Sequence, residues 1–303
     1  MKTKPTVSIA VPLHNEEGNV EPLYREIQGI MKKIGLPYEI VLVNDGSTDR
    51  TGEILRRLKK NSHSLRIIEL EGNFGEAAAL SAGFRYSHGD WIINMDGDGQ
   101  NDPGDIPAFV QKLKEGYRAV TGWRRDRQES YWIRVFPSHV ANWMISQITG
   151  VRVHDNGCGL KGYQASLVKG FFIPHGFHRF LPALFGVKGK EVAEVRVKDR
   201  RRQHGTSHYG LGRTIEVIRE LSTIRFVIKD ASRWYSRFTI IRLVTVIASV
   251  IFLFYLALFP SKLNLLIIFL VITIINFFCW SISLNLRRFL LGQQEGVFKG
   301  KEI

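Results

Sequence analysis

The first 115 residues alternate between short apolar runs and longer stretches with helical spacing. Val7 to Leu13 is a nearly continuous apolar run, which is typical of a strand buried on both faces of a parallel sheet. Asn19 to Ile34 then places apolar residues three and four positions apart, as an amphipathic helix does. The pattern continues with predicted strands at Glu39 to Asn44, Leu65 to Leu70 and Trp91 to Met95, and with predicted helices from Ser47 to about Asn61, from Glu76 to Ser87 and from Asp102 to about Glu115. This order predicts an α/β fold with a mostly parallel, Rossmann-like sheet and helices on both faces.

Polar residues follow each of the four predicted strands. They are His14-Asn15-Glu16-Glu17, Asp45-Gly46-Ser47, Asn73, and Asp96 with Asp98. The carboxyl ends of parallel strands lie at one edge of a sheet, where α/β proteins bind their ligands. Turn chemistry alone explains any single cluster, but four clusters after four strands favour one binding site.

The segment Asp96-Gly97-Asp98-Gly99-Gln100 sets two carboxylates on a glycine-flanked turn directly after a strand. Two carboxylates aimed at one point repel each other, and a divalent cation relieves that repulsion. Hard oxygen ligands suit Mg²⁺ or Mn²⁺, which also bind substrate phosphates. We therefore predict a metal site formed by Asp96, Asp98 and Gln100. The chain lacks a P-loop motif and a Gly-x-Gly-x-x-Gly after the first strand, which argues against P-loop and dinucleotide-dependent enzymes.

The pattern changes after Arg237. Phe238 to Phe259 is interrupted only by Arg242, and Leu263 to Leu286 carries no charge. About 20 apolar residues suffice to cross a bilayer as a helix, and Pro260-Ser261-Lys262 fits a tight connection between two spans. A buried hairpin of a soluble protein is the alternative, but apolar residues cover all sides of both helices. We therefore predict a transmembrane hairpin of two helices.

Basic residues flank the outer ends of both predicted spans. Lys229, Arg233, Arg237 and Arg242 precede or begin the first span, and Arg287, Arg288, Lys299 and Lys301 follow the second. The connection contains only Lys262, so the positive-inside rule predicts that both termini and the large N-terminal part are cytoplasmic. No apolar signal-peptide region follows Met1, and we expect a multi-pass protein of the inner, cytoplasmic membrane.

Composition narrows the class further. The chain has 303 residues, 42 Lys and Arg against 28 Asp and Glu, and a formal net charge of +14, which anionic lipid headgroups would attract. A hydrophobic content of 45% excludes intrinsic disorder. Only Cys158 and Cys279 are present, which excludes a disulfide scaffold and predicts free thiols. Nucleic-acid binding is another interpretation of basic runs, but no such module accompanies them and no nucleic-acid partner is predicted.

Four motifs, in this order and spacing, resemble family 2 glycosyltransferases of GT-A fold. They are Val7 to Glu17, Val43 to Asp49, Asn73-Phe74-Gly75 and Asp96 to Pro103. Three later stretches, Gly157 to Tyr163, His178 to Leu184 and Arg202 to Gly210, are similar to the polyprenyl-phosphate sugar synthases, whose type member is dolichyl-phosphate mannose synthase. The resemblance covers nearly the whole chain, and it implies a metal-dependent, inverting hexosyltransferase.

The resemblance also implies roles for individual residues. Pro12, Asn15, Glu17, Asp45 and Asn73 would form the nucleotide-sugar pocket, with Asp45 on the base or ribose. Asp98, Arg124, Arg134, Ser138 and Arg202 would form the catalytic set, in which Arg124, Arg134 and Ser138 hold the lipid phosphate and Arg202 closes over the phosphates from a loop. The chain departs from the family at His14, Asn44 and His208, where Tyr, Asp and Lys are common.

The chemistry agrees with these roles. A lipid monophosphate has a second pKa near ~6, so it is an anion at neutral pH. It can attack the anomeric carbon without a general base, which leaves positioning and electrostatics to the protein. The expected partners are a UDP- or GDP-hexose donor, a polyprenyl (undecaprenyl or dolichyl) phosphate acceptor and membrane lipid. The sugar, the nucleotide, the lipid length and formation of a homo-oligomer stay open.

Two other functions are compatible with parts of the pattern. A processive polysaccharide synthase usually carries Gln-x-x-Arg-Trp, whereas Asp230 stands in place of the Gln before Arg233-Trp234. Two spans form no channel unless subunits assemble. A non-catalytic nucleotide-sugar-binding scaffold of a glycolipid assembly complex is the second alternative. The intact Asp96 and Asp98 argue against it.

Four regions follow from the pattern: residues 1–210 as the cytoplasmic GT-A domain, 211–237 as amphipathic interfacial helices, 238–290 as two transmembrane helices and 291–303 as a cytoplasmic tail. Apolar residues from Trp132 to Ile148 predict either a core helix or an amphipathic helix on the bilayer. Leu211 to Ile228 has the same ambiguity, and its place before the first span favours the interface. We interpret His178 as structural rather than as a metal ligand.

Overall fold

A computed structural model describes residues 4–124, 136–200, 211–258, 264–295 and 300–303. The chain forms two compact units. The first comprises Met1–Tyr209 and Gly296–Ile303, and the second comprises Gly210–Glu295. The second unit is therefore an insertion in the sequence of the first, which the chain leaves after Tyr209 and re-enters at Gly296.

A single mixed sheet forms the centre of the first unit. Its strands are β1 (Val7–Leu13), β2 (Tyr38–Asn44), β3 (Leu65–Leu70), β4 (Trp91–Asn94), β5 (Ala119–Trp123), β6 (Lys161–Gln164), β7 (Val192–Arg196) and β8 (Gly300–Glu302). Among the described residues the strand order is β7-β5-β6-β4-β1-β2-β3-β8. The pairs β1–β2, β1–β4, β2–β3 and β5–β7 are parallel. β6 and β8 run antiparallel to their neighbours, so the sheet is mostly parallel.

Helices cover both faces of this sheet. The helices of the first unit are α1 (Val20–Ile34), α2 (Thr51–Lys60), α3 (Glu76–Tyr86), α4 (Ile106–Lys114), α5 (Phe136–Thr149), α6 (Ala165–Val168) and α7 (Leu181–Leu184). Successive side chains of a strand point to opposite faces. Leu42 belongs to the apolar cluster formed with α1, α2 and α4, and its neighbours Val41 and Val43 belong to the cluster formed with α3. The α/β sheet with helices on both faces, predicted from the sequence, is confirmed.

The predicted elements of the first 115 residues match the structure to within a few residues. The largest difference lies after Asp102, where a single helix was expected. A short 3-10 helix, Pro103–Asp105, comes before α4, and the Asp102 carboxylate accepts a hydrogen bond from the Gly104 N–H. This local bond stabilises the tighter turn at the start of the helix.

The last strand of the sheet is supplied by residues that were predicted to form part of a tail. β8 pairs antiparallel with the edge strand β3, and the Ile303 N–H donates to the Ile67 carbonyl at 3.1 Å. Arg66 of β3, whose side chain is only 13% exposed, forms ion pairs with Glu302 and Glu39. Because Gly300–Glu302 contains no apolar residue, its sequence gives no sign of this strand.

The second unit consists of two long helices, α8 (Leu211–Leu258) and α9 (Asn264–Glu295). α8 has an extended residue at Asp230, with φ −175° and ψ 91°, which divides it into two helical segments. The Asp230 carboxylate accepts a hydrogen bond from the Arg233 N–H at 3.0 Å, which caps the second segment. The break lies within the predicted interfacial region 211–237, after the predicted helix Leu211 to Ile228.

Side chains of α8 and α9 contact each other along the pair. The rings of Phe252 and Phe269 stack with their centroids 6.1 Å apart. The Asn285 amide donates to the Thr223 hydroxyl at 3.3 Å, and both residues are buried. An amide between two apolar helices needs such a partner.

The outer surfaces of α8 and α9 are strongly apolar. Two stretches, Arg219–Leu258 and Leu266–Gln293, are long and apolar enough to cross a membrane by length and composition. Many large apolar side chains face outward, among them Ile251 at 64% and Phe254 at 69% exposure. Soluble proteins rarely expose apolar patches of this size, so these helices indicate membrane association.

Candidate active site

The four polar loops predicted from the sequence meet at the carboxyl edge of the sheet. In the strand register Leu13 pairs with Asn44, and Ala10 pairs with Asn94. The loops that follow β1, β2 and β4 therefore leave the same edge. The loop after β3 is joined to them because its backbone N–H groups donate hydrogen bonds to the Asp45 carboxylate.

Asn15 and Glu17 connect the first loop to the second. The Asn15 N–H donates to the Ser47 hydroxyl at 3.0 Å, and its side-chain oxygen accepts from the Thr48 N–H at 2.8 Å. Asn15 has φ +56°, the only non-glycine residue with positive φ among those described, and Asn tolerates that conformation better than most residues. Glu17 accepts a hydrogen bond from the Arg50 N–H at 3.0 Å. Both predicted pocket residues thus shape this edge of the site.

Asp45 holds the third loop in place. It is buried, with 3% exposure. One of its carboxylate oxygens accepts from the Phe74 N–H and the other from the Gly75 N–H, each at 2.8 Å. Its predicted contact with a base or ribose stays a prediction, and the structure adds a positioning role that the sequence did not indicate.

His14 lies at the centre of the same polar network, although it was noted only as a departure from the family pattern. Its Nδ1 is 2.7 Å from the Asp45 carbonyl oxygen, so this nitrogen carries the proton. Nε2 then accepts from the Asn73 amide at 3.1 Å. His14 therefore fixes the predicted pocket residue Asn73, while Pro12 lies partly exposed near the end of β1.

Asp96 and Asp98 follow β4, where the sequence places the metal site. The Asp96 N–H donates to the Asn101 side chain at 2.9 Å. The Asp98 carboxylate accepts from the Gln100 N–H at 3.0 Å. Burial, together with the carboxylates of Glu76 and Asp98, raises the pKa of Asp96 to about 7. This mutual repulsion is what a divalent cation would relieve, so the donor set fits Mg²⁺ or Mn²⁺.

Gly159 lies directly against the Asp96 carboxylate. A Cβ at this glycine would be 1.9 Å from one carboxylate oxygen of Asp96, far inside van der Waals contact. The Gly159 carbonyl accepts from the Asn94 amide at 2.7 Å, which fixes the loop under the strand. Lys161 is buried nearby and donates to the Cys158 carbonyl at 2.6 Å. These residues position Asp96, and only the tertiary structure reveals them.

Arg124 lies at the end of β5 and is held by Asp155. Its Nε donates to one Asp155 oxygen at 2.8 Å, and its Nη2 donates to the other at 3.2 Å. Burial acts to lower the pKa of Arg124, but the bonds to Asp155 outweigh burial and raise it. The guanidinium is thus a fixed cation, suited to an anionic ligand.

The remaining members of the predicted catalytic set are outside the structural description. Arg134 and Arg202 lie outside the described residues, and Ser138 belongs to α5 with an undescribed side chain. His178, interpreted as structural from the sequence, has its Nε2 3.6 Å from the Glu76 carboxylate. Glu76 itself was predicted only as the start of a helix.

Comparison with solved structures identifies the fold. Glucosyl-3-phosphoglycerate synthase from Mycobacterium tuberculosis, in complex with UDP, aligns with a TM-score of 0.55 at 20% identity and covers 74% of this chain and 80% of its own. The same enzyme in complex with Mn²⁺, UDP and glucosyl-3-phosphoglycerate aligns with a TM-score of 0.54 at 20% identity, with the same coverage. The likeness confirms the predicted GT-A fold.

Two curated relatives are more similar in sequence. Dodecaprenyl-phosphate galacturonate synthase from Rhizobium johnstonii is 40% identical over 231 residues, which is 75% of this chain and 68% of the relative. Undecaprenyl-phosphate 4-deoxy-4-formamido-L-arabinose transferase from Pseudomonas aeruginosa is 36% identical over 218 residues, which is 72% of this chain and 64% of the relative. The match thus spans about two thirds of each relative's length.

The profile of the family described as Glycosyl transferase family 2 matches residues 8–172. This range contains β1 to β6 and all four polar loops, together with Asp96, Asp98 and Arg124. Since the profile covers more than half of the chain and the relatives carry the same type of activity in their names, the sequence-based assignment is confirmed. The protein belongs to glycosyl transferase family 2 and is a glycosyltransferase.

Proposed function

We propose that this protein transfers one sugar from a nucleotide-sugar to a polyprenyl phosphate at the cytoplasmic face of a membrane. The observation that carries the proposal is a single chain that combines the Asp96–Asp98 carboxylate pair with two helices of membrane-spanning length. A dodecaprenyl- and an undecaprenyl-phosphate sugar transferase among its relatives support this acceptor class. The product would feed cell-envelope glycan synthesis.

The donor would bind along the four loops at the carboxyl edge of the sheet. Asn15, Asn73 and the His14 network lie where a nucleoside would fit, and Asp96 and Asp98 lie beyond them. A UDP-sugar is favoured because the solved structures that share this fold hold UDP. The metal, Mg²⁺ or Mn²⁺, would be held by Asp96, Asp98 and Gln100 and would neutralise the donor diphosphate.

The protein's own residues would then position two anions. Arg124, fixed by Asp155, interacts electrostatically with Asp96 and would serve as a cation for the acceptor phosphate. Arg134, Ser138 and Arg202 are proposed to complete this phosphate site. An acceptor that is already ionised needs no general base, so catalysis would rest on orientation and electrostatics. Attack opposite the leaving diphosphate would invert the anomeric carbon.

The chain's connectivity supports a hairpin topology. The first unit ends at Tyr209 and resumes at Gly296, and β8 pairs with β3 of that unit. If α8 and α9 each cross the bilayer, the chain must therefore enter the first span and leave the second span on the side that holds the catalytic unit. Trp143 and Met144 of α5 are exposed, whereas most large apolar residues in the described part of the first unit are not. Their exposure favours the interfacial interpretation of this helix.

Reporter fusions should show this topology. A reporter active only in the cytoplasm should be active when fused after Ile303 and inactive when inserted at Ser261, because an even number of spans returns the chain to its starting side. A reporter active only outside should give the reverse pattern. An outside signal after Ile303 would contradict both the hairpin and the position of β8.

Purified protein in detergent should make a glycolipid from undecaprenyl phosphate, Mn²⁺ or Mg²⁺ and a panel of UDP- and GDP-sugars. We expect one sugar unit added per lipid, measured by mass spectrometry, and full loss of product with EDTA because the carboxylate pair would repel an unmasked diphosphate. A ladder of longer products would indicate a processive synthase instead. Metal-dependent donor binding without product for any polyprenyl phosphate would indicate a scaffold.

A further inference from the structure

Arg124, the cation proposed for the acceptor phosphate, depends on a buried loop residue for its position. Its Nε donates to the Asp155 carboxylate at 2.8 Å, its Nη2 at 3.2 Å and its backbone N–H at 3.4 Å. Asp155 is 2% exposed. Whatever fixes the backbone of Asp155 therefore also fixes the guanidinium of Arg124.

Asn142 of α5 binds both peptide groups that flank Asp155. Its Nδ2 donates to the His154 carbonyl oxygen at 2.8 Å. Its Oδ1 accepts from the Asn156 N–H and from the Asn156 side-chain amide, each at 3.2 Å. The His154 carbonyl belongs to the peptide bond before Asp155, and the Asn156 N–H belongs to the peptide bond after it. One side chain thus holds the backbone of Asp155 on both sides.

These bonds require a donor and an acceptor on one short side chain. A backbone carbonyl can only accept a hydrogen bond and a backbone N–H can only donate one, so the amide of Asn142 matches both. Alanine offers neither group, and an aspartate carboxylate has no donor for the His154 carbonyl. Asn142 is half-buried and Asn156 is buried, so polar groups left without these partners are costly.

A second set of contacts holds the same segment from the sheet. The Glu194 carboxylate of β7 accepts from the His154 N–H and from Nδ1 of His154, each at 2.7 Å. The His154 ring stacks on the Trp123 ring with the centroids 4.3 Å apart. Trp123 ends β5 and Arg124 follows it, so His154 and Asp155 contact two consecutive residues. The segment is therefore held by β5 and β7 in addition to the bonds from α5.

The side chains that follow Asn142 on α5 are exposed and apolar. Trp143 is 64% exposed and Met144 is 38% exposed. Apolar side chains of this kind are typical of a helix that lies on a bilayer. The helix proposed to meet the membrane thus carries, at the adjacent position, the side chain that holds the loop of Asp155.

We propose that Asn142 is a positioning residue for the acceptor. It fixes Asp155, and through Asp155 it fixes Arg124 where the lipid phosphate would bind, and it joins this cation to the helix that faces the membrane. The inference rests on the proposed transferase function and deepens its acceptor site. Because Asn142 contacts neither the metal loop nor the nucleotide loops in the described hydrogen bonds, binding of the nucleotide should not depend on it.

Steady-state kinetics of purified Asn142→Ala and Asn142→Asp test this role. With undecaprenyl phosphate varied at saturating donor and Mn²⁺, we expect kcat/KM for the acceptor to fall by about 10-fold or more in both variants, because Arg124 loses its fixed position. Binding of UDP with Mn²⁺, measured by calorimetry, should be unchanged. Normal acceptor use by Asn142→Ala, or a parallel loss of UDP binding, would overturn the inference and leave the transferase function intact.

The matched control is Gln147→Ala on the same helix. Its side chain is exposed and makes no hydrogen bond within the described part of the chain, so this variant should keep normal acceptor use. Circular dichroism and detergent gel filtration should show that all three variants fold. A loss of acceptor use in Gln147→Ala equal to that in Asn142→Ala would refute a specific role for Asn142.

A double-mutant cycle separates positioning from a general loss of stability. Arg124→Lys keeps a cation but loses the two-pronged bond to Asp155, so its position no longer depends on that residue. If Asn142 acts through Arg124, Asn142→Ala should lower acceptor kcat/KM by less than about twofold in the Arg124→Lys background. A merely structural role predicts that the two losses multiply, and multiplied losses would contradict the proposal.

Hydrogen exchange covers the case in which no lipid product forms with any polyprenyl phosphate. The Arg124 N–H donates to Asp155, so its exchange reports on the state of this contact without turnover. We expect the peptide that contains Arg124 to exchange faster in Asn142→Ala than in the unmodified protein or in Gln147→Ala, as measured by mass spectrometry. With that result the acceptor proposal fails while the link from Asn142 to Arg124 stands. Unchanged exchange in that case would refute the link itself.

Discussion

Asp98→Ala is expected to abolish sugar transfer, with a loss in kcat/KM of at least about 10³-fold. Asp98 is buried at 8% exposure, and its carboxylate accepts the Gln100 N–H at 3.0 Å. Removal of the carboxylate takes away one of two charged oxygen ligands and leaves the donor diphosphate without its masking cation. Mn²⁺ binding, measured by electron paramagnetic resonance in the presence of UDP, should fall in parallel.

The control for Asp98→Ala is a variant that loses an aspartate carboxylate outside the candidate site. Asp90→Ala is suitable, because Asp90 is exposed and ion-paired with Lys4 at the opposite end of β4. Such surface pairs contribute about 0 to 1 kcal/mol, so this variant should keep near-normal activity. Circular dichroism and detergent gel filtration should show that both variants fold. Transfer by Asp98→Ala at more than a tenth of the normal rate would remove Asp98 from the metal site.

Gly159→Ala is the second change with a large expected effect. The added methyl group would lie 1.9 Å from Oδ2 of Asp96, so either the loop or the carboxylate must move. A displacement of about 1 Å in a reacting group can cost about 10²-fold in rate. We expect a loss of at least that size in kcat/KM, with a higher Mn²⁺ concentration needed for half-maximal activity.

Overpacking also destabilises, by about 1 to 3 kcal/mol, so stability must be measured beside activity. Gly29→Ala in α1 is the matched control, because a Cβ there meets nothing within 4 Å. Positions inside a helix gain about 0.5 to 1 kcal/mol from this change. If Gly159→Ala retains normal metal dependence and activity, Asp96 does not depend on this contact. If both variants lose activity, the effect is not specific to Asp96.

The sequence alone determined the fold and predicted the location of the site. Short continuous apolar runs predicted β1 to β4, and apolar residues three and four positions apart predicted α1 to α3, all to within a few residues. These patterns are visible because a buried strand and a helix that packs on a sheet each require apolar side chains at fixed spacings. The uncharged stretches in α8 and α9 could also be recognised in the sequence, because a helix that crosses a bilayer needs about 20 apolar residues. Asp96 and Asp98 could be found because their chemistry is local: two carboxylates on one turn.

Features that depend on distant contacts required the tertiary structure. Glu76 and His178 are 102 residues apart by their numbers and meet only because α3 and the Phe177–Phe180 helix pack together. Gly159 matters because Asp96, in the loop after β4, occupies the space of its missing side chain. β8 carries no apolar pattern and is held by Arg66 and by pairing with β3. A sequence pattern records what each segment buries, whereas the partner it meets is decided when the segments pack.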